Sequence, residues 1–149
     1  MDLKKLMVDT KAAWISFPGL KGFEVEIANL SRKELTGLRK KCTSTKFDRK
    51  SRQAVENLDE DKFVTEFTRA VIKDWKGLTL AHLETLLLVD IDGQDPEKEL
   101  EYSKDNAETL VSSSTEFDTW LNEVVFDLEN FRSGTKGTPP RETGKVLQK

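Results

Sequence analysis

The chain is poor in the side chains that most often carry out chemistry. Its 149 residues include one cysteine, one histidine and one tyrosine. The single cysteine, Cys42, excludes an internal disulfide, and no second cysteine or nearby histidine completes a nucleophilic site around it. Cys42 falls on the apolar side of its predicted helix, so we expect it to be buried. His82 falls opposite the apolar side of its predicted helix, so we expect it to be exposed to solvent. We therefore predict that the protein is not an enzyme and needs no cofactor.

Long apolar runs are missing as well. The run at residues 86–89 is far shorter than the roughly 20 residues that cross a bilayer, and residues 1–8 lack the apolar region of a secretory signal. Asp90, Asp92 and Asp95 resemble part of a cation loop, but the terminal glutamate of an EF-hand is absent. We interpret them as an acidic turn without a metal, and we expect a cytosolic protein that does not contact a membrane.

Charge is abundant and unevenly distributed. Charged residues make up 34% of the chain and hydrophobic residues 36%, with a formal net charge of −3. Residues 32–52 hold nine Lys and Arg against two acids, a balance of +7, whereas residues 54–131 hold six bases against twenty acids, a balance of −14. Residues 132–149 carry +4. Such blocks influence encounters with partners more than they influence the fold.

The periodicity predicts an α+β fold that is mainly α-helical. Alternating residues at 14–17 and 23–27, around a Pro-Gly loop, predict a small N-terminal β-hairpin that packs on about five helices. We expect an N-terminal arm at residues 1–13, one domain at 14–131, and a flexible, disordered basic tail at 132–149.

Capping signals predict where the helices begin. Ser31 and Glu34 have capping-box spacing, and Asp59 is suited to begin a helix over residues 60–75. Thr79 is suited to begin a helix whose apolar side is formed by Leu80, Leu83, Leu87 and Leu88. Gly77 is suited to end the helix over residues 60–75. We predict a capping pattern at Asp105 and Glu108, and a last helix that Thr115 caps and that runs to about Phe131. We expect a loop or mobile extension at residues 43–58.

Aromatic residues mark the predicted core and one candidate contact. Trp14, Trp75 and Trp120 are predicted core anchors. Phe126 lies about 180° from Phe117 on the last helix, away from the apolar stripe. It therefore either packs beneath the hairpin or tail, or serves as an exposed anchor for a partner.

The basic stretch at residues 32–52 allows three interpretations. Its cations could neutralise a nucleic-acid backbone, although aromatic side chains for base stacking are scarce there. They could also bind an acidic protein partner or a second copy of the chain, or form a solvated face. We expect a protein partner rather than nucleic acid, and we select six candidate partner-binding residues: Arg39, Lys40, Lys41, Arg49, Lys50 and Phe126.

The order of features resembles the tail assembly chaperones of long-tailed bacteriophages. The resemblance covers residues 14–131 and depends mostly on the aromatic segment that ends in Trp75-Lys76-Gly77 and on the closing segment Phe117-Asp118-Thr119-Trp120-Leu121. It implies a protein that binds and solubilises the tape measure protein in the host cytoplasm, helps to recruit tail tube protein, and is absent from the mature virion. The family has no catalytic residues to transfer.

The resemblance also suggests self-association. The +7 block of one copy could meet the −14 block of the next, and head-to-tail contacts of this kind form open arrays. Two alternatives remain: a structural tail protein retained in the virion, such as a tail completion or tube-associated subunit, and a nucleic-acid-binding regulator that uses residues 32–52.

Overall fold

The computed structural model describes residues 1–7 and 12–132 and has the predicted α+β fold. The described residues form helices and the strands of two small antiparallel sheets, one with three strands and one with two. Residues 3–6 of the predicted arm form a single exposed helical turn. Residues 8–11 of that arm and residues 133–149 of the predicted tail lie outside the described residues.

The predicted N-terminal hairpin is confirmed, and a third strand extends it. Strands β1 (Ala12–Ser16) and β2 (Glu24–Ala28) pair antiparallel, and β2 pairs antiparallel with β5 (Ile72–Lys76). The cross-strand set Ile15, Val25 and Trp75 faces the core. A separate two-stranded sheet is formed by β3 (Thr43–Asp48) and β4 (Gln53–Leu58).

Six α-helices and one 3₁₀-helix lie within the described residues. Their bounds are α1 Leu3–Leu6, α2 Arg32–Lys41, α3 Glu60–Val71, α4 Leu80–Leu86, α5 Lys104–Ser113, α6 Thr115–Val125 and the 3₁₀-helix Leu128–Phe131. The capping box at Ser31 and Glu34 is present, and Asp59 and Thr79 cap α3 and α4 as predicted. Each cap satisfies a backbone N–H that the first helical turn leaves without a partner.

The core lies between the inner face of the three-stranded sheet and α6. The rings of Phe17, Phe23 and Phe117 lie 5.7–6.2 Å apart and form its centre. Trp75 approaches Phe23 edge-on at 6.4 Å and donates its indole N–H to the Leu100 carbonyl at 2.9 Å. The sheet and α6 therefore share one aromatic cluster, which packs the start of α6 against the sheet.

The prediction of one helix over residues 60–75 is wrong. The helix ends at Val71, and residues 72–76 form β5 because Ile72 and Trp75 pair opposite Ile27 and Val25 of β2. Gly77 ends this strand rather than a helix, with φ +76°. Sheet pairing with a segment about 50 residues earlier in the chain has overridden the helical period.

The predicted loop or mobile extension at 43–58 is also wrong. These residues form the β3–β4 hairpin, in which six residue pairs face each other from Thr43–Leu58 to Asp48–Gln53. Almost every side chain in it is exposed. Because neither face is buried over most of its length, the hairpin lacks the apolar alternation by which strands are usually recognised.

Several element ends differ from the prediction by a few residues. Ser103 rather than Asp105 caps α5, and Ser114 rather than Thr115 caps α6. Helix α6 stops at Val125, and a 3₁₀-helix follows. Helix α4 stops at Leu86, so that Leu88 is fully exposed instead of lying on the apolar side.

Trp14 is not a core anchor. It alternates with the buried Ala13 and Ile15 and therefore lies on the outer face of the sheet, where the Lys76 ammonium sits 4.7 Å from its ring centre. Cys42 is buried, as predicted. His82 is only half-exposed, and its Nε2 lies 3.0 Å from the Lys21 carbonyl oxygen.

Candidate partner-binding surface

A row of four side chains, three of them aromatic, runs from α2 across α3 to the end of α6. Phe63 and Phe67, one turn apart on α3, stack with their ring centres 5.9 Å apart. Phe126, at the C-cap of α6, lies 6.4 Å from Phe67. At the other end, the guanidinium of Arg39 on α2 lies 5.3 Å from the centre of the Phe63 ring. We call Arg39, Phe63, Phe67 and Phe126 the aromatic row.

The aromatic row is buried at its centre and open at its ends. Phe67 is 5% exposed, Phe63 is half-buried, and Phe126 is 43% exposed. Next to Phe126 along the chain, Leu128 is also exposed. An apolar surface that is anchored to the core but reaches solvent is a typical contact site for another polypeptide.

An ion pair fixes the end of α2 beside the aromatic row. Lys41 Nζ lies 2.6 Å from Glu66 Oε1 on α3. The hydrogen bond from Lys41 lowers the pKa of Glu66 below its ordinary value, and the same bond raises the pKa of Lys41. Lys62 Nζ also donates to the Lys41 carbonyl at 3.3 Å. These contacts, together with the Arg39–Phe63 stack, hold the basic turn of α2 against α3.

Two further candidate cations lie on the β3–β4 hairpin. Arg49 and Lys50 occupy its turn, which Asp48 stabilises by accepting hydrogen bonds from the Lys50 backbone N–H and the Ser51 hydroxyl. Arg52 closes the turn in the left-handed conformation, with φ +58°. Strands of six residues at about 3.4 Å per residue place this turn about 20 Å from the base of the hairpin.

A shallow cleft separates α2 from the base of the hairpin. Its volume is about 590 Å³. Arg39 and Lys40 line one wall, and Thr45, Glu56 and Leu58 line the other. Its α2 side carries two cations, which could pair with acidic side chains from a partner.

The structure places the six predicted partner-binding residues in three places. Arg39, Lys41 and Phe126 all contact α3, at the aromatic row or directly beside it. Lys40 faces the cleft, while Arg49 and Lys50 are at the hairpin turn. The structure places the Phe126 ring against Phe67 of α3 and leaves it partly exposed, and its role as an anchor for a partner stays a prediction.

Sequence reasoning missed the part that Phe63 plays in this surface. It lies on the apolar stripe of α3, and its helical spacing gave no sign that Arg39 of α2 would lie over the ring. The i, i+4 spacing of Phe63 and Phe67 was the available signal. This spacing predicts that the two rings stack, but it does not predict that the Phe126 ring at the end of α6 packs beside them.

The described residues include no cluster of three or more His, Cys, Asp or Glu that could hold a metal ion. Asp90 and Asp95 instead accept hydrogen bonds from the backbone N–H groups of Asp92 and Glu97 within the acidic turn. None of the helices in residues 1–7 and 12–132 combines the length and the apolar character that a membrane span requires.

Comparison with known families identifies the origin of the chain. The family model described as YdaY prophage protein matches residues 30–137, which is more than half of the 149 residues. The chain is therefore a phage-derived protein. It belongs to the YdaY prophage protein family. No curated protein and no solved structure matches it.

The matched region contains the whole candidate surface. It begins at Leu30, directly before α2, and includes both strands of the β3–β4 hairpin and all four members of the aromatic row. Strands β1 and β2 precede it. The aromatic row and the hairpin are thus built from the part of the chain that defines the family.

Proposed function

We propose that this protein is a tail assembly chaperone that binds and solubilises the tape measure protein and helps to recruit tail tube subunits during phage tail assembly. Membership of a prophage family supports the phage context. The observation that carries the proposal is the aromatic row, an apolar strip that leads from the exposed Phe126 across α3 to Arg39. In this role the protein acts by binding and performs no bond-breaking chemistry.

The aromatic row suits a helical partner. A tape measure protein of the expected type is a long helical chain whose apolar seams would aggregate if they were left in water. An amphipathic helix that lies along Phe63 and Phe126 would cover such a seam by the helix-in-groove mode. Arg39 and Lys40 at the end of the row could pair with acidic side chains that flank the seam.

The limited size of the surface suits a chaperone that must later leave. Only the open ends of the aromatic row contribute apolar area, so each copy should bind weakly. Many weakly bound copies along one long partner give high total occupancy, while each copy can still be displaced as the tail tube polymerises. A single large interface would hold the partner too tightly for that sequence of events.

Co-expression with the tape measure protein of the same prophage tests the proposal. We expect the wild-type chain to raise the soluble fraction of that protein several-fold, and Phe126→Ser to remove most of this gain. Leu6→Ser, which changes an exposed apolar side chain on α1, is the matched control and should behave as the wild type. The proposal fails if the wild-type chain leaves the soluble fraction unchanged. The assigned surface is wrong if Phe126→Ser solubilises as well as Leu6→Ser.

A further inference from the structure

The β3–β4 hairpin carries positive charge that the described part of the molecule leaves unpaired. Lys46, Arg49, Lys50 and Arg52 are exposed, and none of the four forms an ion pair within residues 1–7 and 12–132. Phe47 is 66% exposed and Val55 47% exposed, on opposite faces of the hairpin. A ribbon with cations at its turn and apolar side chains on both faces has the composition of a binding element.

A segment of the same chain has complementary properties. After α4, residues 88–92 lie in irregular, largely exposed structure with the sequence Leu-Val-Asp-Ile-Asp. Leu88 is fully exposed, and residues 90–101 contain six acids and one base. This segment therefore combines exposed apolar and acidic side chains, whereas the hairpin combines exposed apolar and basic side chains.

The hairpin and the acidic segment follow different elements of the fold. The hairpin joins α2, which follows the C-terminal end of β2, to α3, which precedes the N-terminal end of β5; these two ends lie together at the Ile27–Ile72 pair. The acidic segment follows α4 and the opposite end of β5, beside Glu24. Helices α2 and α3 separate the hairpin from its end of the sheet, and no hydrogen bond or ion pair joins the hairpin to the acidic segment within the described residues.

We propose that the β3–β4 hairpin of one copy binds the segment at residues 88–95 of a second copy. The hairpin cations would face Asp90 and Asp92, and Phe47 or Val55 would cover Leu88. Because the hairpin and the acidic segment are different surfaces of the chain, the contact is heterologous and leaves one free site of each kind, which permits open head-to-tail arrays. This contact is independent of the proposed function, since it involves neither the aromatic row nor a tape measure protein.

The contact should be weak and sensitive to salt. One hairpin and one short segment bury less than the roughly 1,200 Å² of a stable complex. At about 20 mM salt the Debye length is about 20 Å, comparable with the length of the hairpin, so the charges act at full range. Self-association should therefore be visible at high protein concentration and low salt, and disappear at about 0.5 M salt.

Charge exchange between two variants provides the test. Arg49→Glu/Lys50→Glu gives the hairpin the charge of the acidic segment, and Asp90→Lys/Asp92→Lys gives that segment the charge of the hairpin. Sedimentation velocity at up to about 1 mM protein and about 20 mM salt should show concentration-dependent association of the wild type. Each variant alone should associate at least tenfold more weakly, and an equimolar mixture should regain the wild-type behaviour, because each altered element then meets an opposite charge.

Two controls separate this contact from general charge effects and from misfolding. Lys4→Glu/Lys5→Glu changes the net charge by the same amount as the hairpin variant, on the exposed α1 helix, and should associate as the wild type. Circular dichroism and thermal unfolding establish that each variant is folded. A wild type that stays monomeric under all these conditions overturns the proposal, as does a mixture that does not regain association. If the wild type stays monomeric but is retained on DNA through Arg49 and Lys50, the hairpin binds a phosphate backbone rather than a second copy, and the proposal is also wrong.

Discussion

Gly77 lies directly against the backbone of Gly22. A methyl group at Gly77 would sit 1.9 Å from the Gly22 carbonyl oxygen and 2.6 Å from its carbon, and Gly77 has φ +76°. The contact joins the end of β5 to the loop between β1 and β2. It explains why this position needs glycine for both space and backbone conformation.

We predict that Gly77→Ala lowers the free energy of unfolding by about 2–4 kcal/mol, from left-handed strain together with displacement of the Gly22 backbone. Gly93→Ala is the matched control, since Gly93 has a similar φ of +81° but open space around it. It should lose only about 1 kcal/mol. Urea unfolding measures both, and equal losses would contradict the close approach to Gly22.

Thr68 carries a buried hydroxyl that the core does not satisfy. The residue is 1% exposed, and its Oγ1 has no hydrogen-bond partner among the described residues. Thr68→Val keeps the shape and removes the unsatisfied group, so we predict a gain of about 1 kcal/mol, which is about 2–4 °C in Tm. Thr65→Val, on the same helix but partly exposed, should give no gain. A loss of stability in Thr68→Val would show that the hydroxyl has a partner.

Stability should decrease at alkaline pH because of Tyr102. Partial burial raises the pKa of the Tyr102 phenol above its ordinary value, and the nearby charges of Asp74 and Glu108 add to the effect. Above pH 10 or so the unfolded chain loses this proton first, so the unfolded state is favoured as the pH rises towards the folded-state pKa. The contribution of the Tyr102 phenol to the free energy of unfolding is fully present below about pH 10 and is lost as the pH rises through the folded-state pKa.

Tyr102→Phe isolates this effect from the titration of lysines. The variant loses a long hydrogen bond to the Ile72 carbonyl, 3.3 Å, and should be less stable than the wild type by about 1 kcal/mol or less at neutral pH. We predict that the difference in unfolding free energy between the two proteins is constant up to about pH 9.5 and moves in favour of the variant above about pH 10. A difference that does not change with pH would contradict the assignment.

The β3–β4 hairpin should be dispensable for folding. Between Ser44 and Asn57 every side chain is exposed. We predict that replacing residues 45–56 with an Asn-Gly turn changes Tm by only a few degrees, since it removes no core packing and loop closure costs little. Thermal unfolding followed by circular dichroism measures this. A variant that fails to unfold cooperatively would show that the hairpin is part of the folding unit.

Local chemistry was readable from the sequence, and long-range pairing was not. Ser31, Asp59 and Thr79 were identified as caps because a cap needs only its own side chain and the N–H groups three residues later. The strand at Ile72–Lys76 was missed because it depends on β2, far earlier in the chain. Its residues continue the apolar period of α3, so the sequence alone favoured one long helix.

The candidate surface was only partly predictable for the same reason. The cations of residues 32–52 and the unusual position of Phe126 are visible in the sequence. The aromatic row also requires that α6 end at Val125, one residue before Phe126, and that α2 place Arg39 over Phe63. Both depend on tertiary packing, which no local pattern encodes.

The most direct test of the proposed function is the mass of the complex with the tape measure protein. The two proteins are co-expressed, purified through a tag on the tape measure protein, and measured by size-exclusion chromatography with light scattering. The account predicts a soluble complex that contains many copies of this chain for each tape measure protein, and fewer copies with Phe126→Ser. A tape measure protein that purifies in soluble form without this chain bound would contradict it.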